Sequence, residues 1–278
     1  MNQQPKHSQP DATQLDLNVW ADYVQTLNVS PLFVTISGAH IYGFPSPDSD
    51  VDLRGCHQLE LSKIIGLGKP IETVDFSGVH HGIEVDLVSH DIGKYFSLLV
   101  KNNGYILEQV FSPLVVAGQD FLDRLRPLAE NCITRNHYFH YRGFFATQLK
   151  LIEKQEPVTA KAVLYAYRVL CTGINLLHTG VVETDLRVLA KKMNLDFIEE
   201  LIAAKVTEKV EFNFDIEQHV ERLKELEREM ESAFEKSTLS EKPNREPVND
   251  FLVELRLSGE QKKPAHVIPR LGERYDEH

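Results

Sequence analysis

Two aspartates separated by a single valine, Asp50 and Asp52, are the residues whose spacing most directly indicates chemistry in this sequence. Alternate residues of a β-strand point to the same face of a sheet, so an extended segment here would place both carboxylates side by side. Two like charges at that spacing repel each other unless a cation lies between them. Because oxygen ligands suit hard cations, the pair predicts a site for Mg²⁺ (or Mn²⁺).

A third carboxylate can reach this pair from a later segment. In residues 79–88 the apolar side chains alternate with Glu84 and Asp86, which share the opposite strand face. We expect this segment to be the second strand of a hairpin that turns at Ser77-Gly78. Asp86 would then complete the metal site from an antiparallel neighbour, with Glu84 as the alternative ligand.

A turn that could bind phosphate precedes the aspartates. Ser37 and Gly38 follow the apolar run 32–36, and a strand that opens into a short helix there would present backbone N–H groups to an anion. Two metal ions about 3.5–4 Å apart would stabilise the attacking and leaving oxygens of an in-line phosphoryl displacement. The predicted reaction is nucleotidyl transfer. The alternative is a solvated turn at residues 46–52, because Asp, Ser and Pro are ordinary turn formers.

The elements that must position these residues lie in the first part of the chain. Apolar residues at helical spacing predict a helix within residues 15–27, and short runs rich in β-branched and aromatic residues predict strands. Residues 89–91 supply capping groups for a further helix, and Ser112-Pro113 ends the last one. The predicted strands are 32–36, 50–56, 71–76 and 79–88, with a short helix at 105–111.

Beyond Pro113 the pattern predicts helices and no strand. The predicted helices are 119–129, 136–153, 160–178, 185–193, 196–205, 215–236 and, after a linker at 236–248, 249–257. The chain would thus divide into a flexible N-terminus (1–13), a core (14–115), a helical domain (116–258) and a flexible tail (259–278).

Composition sets the class of protein. A net charge of −11 excludes a general binder of long nucleic acid, whose affinity comes largely from neutralised phosphates. The charge is uneven, because residues 1–113 carry 6 Lys and Arg against 13 Asp and Glu, whereas residues 124–192 carry 11 against 5. An acidic metal site beside a basic region suits a phosphate-bearing ligand. No apolar stretch reaches the roughly 20 residues of a membrane span, so we expect no membrane partner and a cytoplasmic protein.

The basic region contains an aromatic segment, residues 136–142, flanked and ended by Arg135 and Arg142. Arginine can clamp phosphates, and Tyr or His can stack on a base, which predicts nucleotide contacts at both arginines. His137 and His140 have the i, i+3 spacing that also permits metal ligation. A helix that packs its aromatic side while His and Arg face solvent is the alternative.

Two groups of motifs resemble a known family. Ser37-Gly38-Ala39 and the segment 46–52 (Ser-Pro-Asp-Ser-Asp-Val-Asp) resemble the signature of the DNA polymerase β-like nucleotidyltransferase superfamily, in which Gly-Ser or Gly-Gly precedes Asp-x-Asp. Residues 85–96 and 107–113 are similar to the subgroup described as the RNA repair pathway DNA polymerase β family. The resemblance is most specific over residues 32–113.

This resemblance implies an α+β fold with a small mixed β-sheet nucleotidyltransferase core followed by an all-helical C-terminal domain. It implies a nucleoside triphosphate as substrate and an RNA end, short or structured, as acceptor. A protein hydroxyl is the alternative acceptor, and a nucleotide-binding regulatory protein with weak or no turnover is the alternative function. The implied metal ligands are Asp50, Asp52 and Asp86, and the implied nucleotide contacts are Ser37, Gly38, Ala39 and His40.

Two positions depart from the family pattern. Ala39 stands where the superfamily often has Ser or Gly, and His40 stands where related proteins often carry Arg. The resemblance implies that a side-chain hydroxyl at the first position commonly touches the triphosphate. Backbone N–H groups remain available at Ala39, so phosphate binding is still expected, with altered nucleotide affinity or choice.

Overall fold

A computed structural model describes residues 15–154, 156–207 and 215–258. The segments predicted to be flexible, 1–13 and 259–278, lie outside the described residues. The strands are β1 (Pro31–Ile36), β2 (Val51–His57), β3 (Thr73–His80), β4 (Ile83–Asp91) and β5 (Val115–Ala117). The helices are α1 (Leu17–Thr26), α2 (Leu61–Ile65), α3 (Ile92–Leu99), α4 (Gly104–Val110), α5 (Gln119–Glu130), α6 (His137–Lys154), α7 (Ala160–Thr179), α8 (Leu186–Met193), α9 (Ile198–Val206), α10 (Ile216–Lys236) and α11 (Arg245–Ser258), with a 3₁₀ turn at Gly38–His40.

The five strands form one mixed sheet in the order β3-β4-β2-β1-β5. Strand β1 is antiparallel to both of its neighbours, whereas β2 and β4 are parallel. The predicted α+β class with a small mixed sheet and C-terminal helices is confirmed. The expectation that Asp86 comes from an antiparallel neighbour is wrong, because residues 58–72 carry the chain out to β3 at the sheet edge. The hairpin then returns β4 beside β2 in the same direction.

The hairpin turn also differs from the prediction. Strand β3 runs through Ser77-Gly78, and the chain reverses at His81-Gly82, where the φ angles are 50° and 79°. A two-residue hairpin of this kind needs positive φ at both central residues, which is why the strands close here. His81 lies in this turn, and its ring centroid is 4.3 Å from that of His80.

Helix α1 covers one face of the sheet. Trp20, Tyr23 and Val24 pack there against inward-facing strand residues such as Val34 and Leu53. The other face packs against the helical half through Phe33 and Cys56 in a second and larger apolar cluster. The same face carries the acidic residues described below, since Asp52 and Cys56 are an even number of residues apart on β2.

The helices predicted beyond Pro113 are all present in the described residues, with α10 burying Leu223, Leu226 and Met230 as expected. Helix α11 begins at Arg245, inside the segment predicted as a linker. The prediction of no strand beyond Pro113 is wrong, because Val115–Ala117 forms β5, and three residues are too few for a periodic pattern. Strand β5 pairs with β1, so the sheet includes residues on both sides of the predicted domain boundary. The division into two domains, 14–115 and 116–258, stays a prediction.

Candidate active site

The register of β2 and β4 brings two of the predicted carboxylates together. Asp52 and Asp86 are direct partners on these adjacent parallel strands, so their side chains leave the same face of the sheet. Val51 and Leu53 are fully buried on the opposite face, as the alternation predicts. Asp50 precedes β2 and is exposed. Because Glu84 lies near the hairpin end of β4, the register favours Asp86 as the third member of the group.

Arg54 joins this group, although the sequence analysis did not single it out. Its Nη2 donates to Asp52 Oδ1 at 2.7 Å, and its Nη1 lies 3.3 Å from Asp86 Oδ2. The signal was present in the sequence, because Arg54 follows Asp52 by two residues and therefore shares its strand face. A cation thus lies between the two carboxylates, and it is supplied by the chain itself.

The turn at Gly38–His40 packs directly on this group. The Ser37 N–H donates to the Asp52 carbonyl oxygen at 2.8 Å. Gly38 has a φ of +67°, and a Cβ added there would lie 2.1 Å from Asp52 Oδ2. Only glycine therefore fits this position, both for its backbone conformation and for the space taken by the Asp52 carboxylate. The packing of Gly38 on the Asp52 carboxylate therefore restrains the position of both the side chain and the turn.

Ala39 and His40 have different environments within the turn. Ala39 is buried in the larger apolar cluster, so its methyl group contributes to packing. His40 Nε2 lies 3.2 Å from the Asp50 carbonyl oxygen, to which it can donate. Burial lowers the pKa of His40, although the hydrogen bond to Asp50 opposes this shift. A neutral His40 can hold the backbone of Asp50 but adds no positive charge for a phosphate.

The electrostatics of Asp52 reflect its crowded position. Burial raises the pKa of the Asp52 carboxyl above its usual value, Arg54 opposes the shift, and the Asp50 and Asp86 carboxylates add to it. Its side chain is 25% exposed, whereas that of Asp86 is 41% exposed and also accepts a 3.0 Å hydrogen bond from Ser77 Oγ. Asp52 is therefore the member of the group that depends most on a neighbouring cation.

Two residues of the helical half reach the segment that leads to Asp50. Lys205 of α9 donates to the Phe44 carbonyl oxygen and to Ser46 Oγ, both at 2.9 Å. The Tyr165 ring of α7 packs edge-on against Phe44 at a centroid distance of 5.5 Å. Burial raises the pKa of Tyr165 to about 12, Arg168 opposes the shift, and the Asp52 and Asp50 carboxylates add to it. Sequence periodicity marked neither residue, because each acts through a contact with a distant segment.

A buried ion pair also contacts the segment between the 3₁₀ turn and Asp50. Arg168 Nη1 lies 2.7 Å from Glu108 Oε1, and both side chains are 1% exposed. Tyr42 donates to Glu108 Oε2 at 3.1 Å, and the Arg168 guanidinium lies 4.0 Å from the centroid of the Tyr42 ring. This network links α4 and α7 to Tyr42, which lies two residues after the 3₁₀ turn.

The two arginines predicted to bind nucleotide lie elsewhere on α6 or just before it. Arg135 pairs with Glu241 at 3.0 Å and stacks over the Phe234 ring. Arg142 is exposed, and its guanidinium lies 6.0 Å from the centroid of the Tyr138 ring. These contacts do not bring either arginine to the carboxylates, and their role as nucleotide contacts stays a prediction.

The histidines of this segment are neutral near pH 7. Burial lowers the pKa of His137 to about 4, and its Nδ1 lies 3.0 Å from the Thr134 carbonyl oxygen. Burial also lowers the pKa of His140 to about 4, and the Arg168 charge adds to this shift. The ring of His140 packs edge-on against that of Tyr105 at 5.2 Å. Both histidines thus contribute to the packing of α6.

The carboxylate group fits a divalent metal by its donor chemistry. Asp50, Asp52 and Asp86 offer the oxygen ligands that Mg²⁺ and Mn²⁺ prefer. Within residues 15–154, 156–207 and 215–258, however, no group of three or more His, Cys, Asp or Glu residues is already arranged to hold a metal. The Arg54 guanidinium contacts one carboxylate oxygen of Asp52 and one of Asp86. None of the described helices is both long enough and apolar enough to cross a membrane.

Comparison with known proteins gives a family match over most of the chain. The model of the RNA repair pathway DNA polymerase beta family matches residues 9–254. An uncharacterised protein of Methanocaldococcus jannaschii is 34% identical over 157 residues, which are 56% of this chain. The chain covers 63% of the length of that relative, less than two thirds. A crystal structure of a nucleotidyltransferase-like protein from Exiguobacterium sibiricum aligns with a TM-score of 0.29 and 14% identity, over 76% of this chain and 72% of that one.

Proposed function

Because the chain belongs to the RNA repair pathway DNA polymerase beta family, we propose that it is a metal-dependent nucleotidyltransferase. The resemblance seen in its motifs is thereby confirmed at the level of the family. The proposed reaction transfers a nucleoside monophosphate from a nucleoside triphosphate to an acceptor hydroxyl at an RNA end. The observation that carries this proposal is the register that places Asp52 and Asp86 side by side on parallel strands, with Asp50 directly before the first of these strands.

The proposed chemistry is an in-line displacement. The acceptor oxygen forms a bond to the α-phosphorus, the bond from the α-phosphorus to the bridging oxygen breaks, and pyrophosphate leaves. Asp50, Asp52 and Asp86 would hold two Mg²⁺ or Mn²⁺ ions, which supply positive charge to the attacking and leaving oxygens. Asp86 is the more exposed of the two strand carboxylates. We assign to it the role of general base, which accepts the proton of the acceptor hydroxyl.

The turn at Ser37–His40 would bind the triphosphate through the backbone N–H groups of Gly38, Ala39 and His40, because the Ser37 N–H already donates to the Asp52 carbonyl oxygen. Ala39 is buried and has no hydroxyl, so the N–H groups of the turn take the role that a side chain shares in related proteins. Gly38 brings the backbone close to Asp52, which would keep the phosphates next to the metal ligands. Lys205 and the Arg168–Glu108 pair hold the flanking residues in place.

The acceptor is proposed to be an RNA end, because the family is described by RNA repair. The basic region at residues 124–192 supports a short or structured RNA, even though the whole chain carries a net charge of −11. A protein hydroxyl remains the alternative acceptor.

A nucleotide-binding protein with weak or no turnover is the second candidate. Arg54 favours it, because a guanidinium already neutralises Asp52 and Asp86. Such a protein would bind triphosphate at the turn without making product. Calorimetry together with the transfer assay separates the two candidates, because both predict metal-dependent triphosphate binding and only the first predicts transfer to an acceptor.

The test is transfer from nucleoside triphosphates labelled at the α-phosphate, with Mg²⁺ or Mn²⁺ and short RNAs that end in a free 3′ hydroxyl. We expect Asp52→Asn and Asp86→Asn to lose ~100-fold or more in rate, because each removes charge aimed at the transition state. Glu84→Gln is the matched control, since Glu84 is an exposed carboxylate on the same face of β4. Equal rates in wild type and Asp52→Asn would refute the proposed function.

A further inference from the structure

Arg54 is held between the two strand carboxylates by four contacts. Its Nη2 donates to Asp52 Oδ1 at 2.7 Å, and its Nη1 lies 3.3 Å from Asp86 Oδ2. Nη1 also donates to the carbonyl oxygens of Leu53 at 2.8 Å and Asp86 at 3.2 Å. The guanidinium is therefore fixed by the backbone as well as by the two charges.

The remaining carboxylate oxygens are directed elsewhere. Asp86 Oδ1 accepts a 3.0 Å hydrogen bond from Ser77 Oγ. Asp52 Oδ2 packs against Gly38, so closely that a Cβ there would lie 2.1 Å from it. Arg54 thus contacts the two carboxylate oxygens that neither Ser77 nor Gly38 approaches. A divalent cation held by both residues would compete with Arg54 for their carboxylates.

We propose that Arg54 is the resting counter-ion of the site, which holds Asp52 and Asp86 in position without metal and releases their oxygens when a divalent cation binds. The inference rests on the proposed function, because it takes both aspartates as metal ligands. It adds a positioning residue to the site and a direct competition between Arg54 and the metal. The side chain of Arg54 is 23% exposed, so part of it already contacts solvent.

The competition predicts the sign of a measurable change. Without the guanidinium, Asp52 and Asp86 repel each other and lose the cation between them, so a divalent cation no longer has to compete for their oxygens. We expect Arg54→Met to bind Mn²⁺ roughly tenfold more tightly than wild type, in line with the usual strength of a charged hydrogen bond. Arg54→Lys should fall between them, because a single ammonium carries the charge but cannot span both carboxylates.

The experiment measures free Mn²⁺ by electron paramagnetic resonance during titration of each full-length variant, without nucleotide. Asp52→Asn defines which binding belongs to this site. Arg124→Met is the matched control, because Arg124 also forms a 2.7 Å ion pair, with Glu254 of α11. Thermal unfolding with and without Mn²⁺ gives a second readout. Here Arg54→Met should be less stable than wild type without metal and gain more from its addition.

Two results would overturn the proposal in distinguishable ways. Mn²⁺ affinity that Asp52→Asn abolishes and Arg54→Met leaves unchanged or weakens would show a metal site without competition, and the proposed function would stand. Mn²⁺ affinity that Asp52→Asn leaves unchanged would remove the metal from these carboxylates, and both proposals would fail. If Arg54→Met does not fold, the same comparison is made with Arg54→Lys, whose charge keeps the carboxylates neutralised.

Discussion

Gly38 provides a direct test of how the turn and the carboxylates depend on each other. Gly38→Ala has to accommodate a Cβ that would lie 2.1 Å from Asp52 Oδ2, where ordinary contact begins near 3.4 Å. Because a 2.1 Å contact is not tolerated, the Asp52 carboxylate has to move by about 1 Å. Misplacement of a reacting group by that distance can reduce the rate about 100-fold.

The matched control is Gly82→Ala in the β3–β4 hairpin. Gly82 has a φ of +79°, close to the +67° of Gly38, but an added Cβ there would meet nothing within 4 Å. Both substitutions place a Cβ in the left-handed region, at a cost of about 1–2 kcal/mol. Only Gly38→Ala also displaces Asp52, so any loss that it shows beyond Gly82→Ala reports on the site.

The assays are urea unfolding, Mn²⁺ affinity and nucleotidyl transfer for both variants. We expect Gly82→Ala to lose stability alone, and Gly38→Ala to lose stability, Mn²⁺ affinity and about 100-fold in rate. If Gly38→Ala matches Gly82→Ala in Mn²⁺ affinity and rate, the packing of Asp52 on Gly38 does not set the position of the carboxylate, and the reasoning is refuted.

Three further predictions concern the framework. Arg168→Met leaves Glu108 as a buried unpaired charge and should lower the free energy of unfolding by about 3–5 kcal/mol, most of which Glu108→Gln in the same chain should restore. Burial alone would raise the pKa of Asp91. Hydrogen bonds oppose this effect, and the one from Arg256 contributes most, so the pKa of Asp91 lies below its usual value. Asp91 therefore stabilises the fold fully above about pH 4, so the stability advantage of wild type over Asp91→Asn in urea unfolding should shrink as the pH falls further. His81→Asn should raise stability by about 0.5 kcal/mol, since His81 has a φ of 50° and Asn adopts positive φ more readily; an unchanged or lower thermal midpoint would contradict this.

Local patterns were sufficient for several features of the fold and the site. The alternation Val51, Asp52, Leu53 placed one side chain on the polar face and two in the core, as the structure has them. The helices beyond Pro113 followed from apolar spacing, because the face of a helix is set by residues three and four apart. The same two-residue period places Arg54 on the face of Asp52. That Arg54 lies between two carboxylates is known only once Asp86 is placed on the neighbouring strand.

Other features depended on information that a local pattern does not contain. The turn was predicted at Ser77-Gly78, whereas the chain turns at His81-Gly82, in the register that pairs Phe76 with Leu87. The parallel direction of β4 follows from the path of the connection, residues 58–72, around the sheet edge. A residue pattern within one strand does not specify the direction of its neighbour.

The sequence by itself determined the family, the class of fold and the strand faces of Asp52 and Asp86, because these depend on motifs and on periodicities of two to four residues. Only the tertiary structure decided which carboxylate lies beside Asp52, which cation lies between them, and which helices hold the turn. Lys205 and Ser46 are 159 residues apart in the chain, and their contact exists only because α9 packs beside the core. Contacts between residues so far apart in the chain depend on how whole helices and strands pack. This packing brings Asp86, Arg54 and the turn at Gly38–His40 next to Asp52.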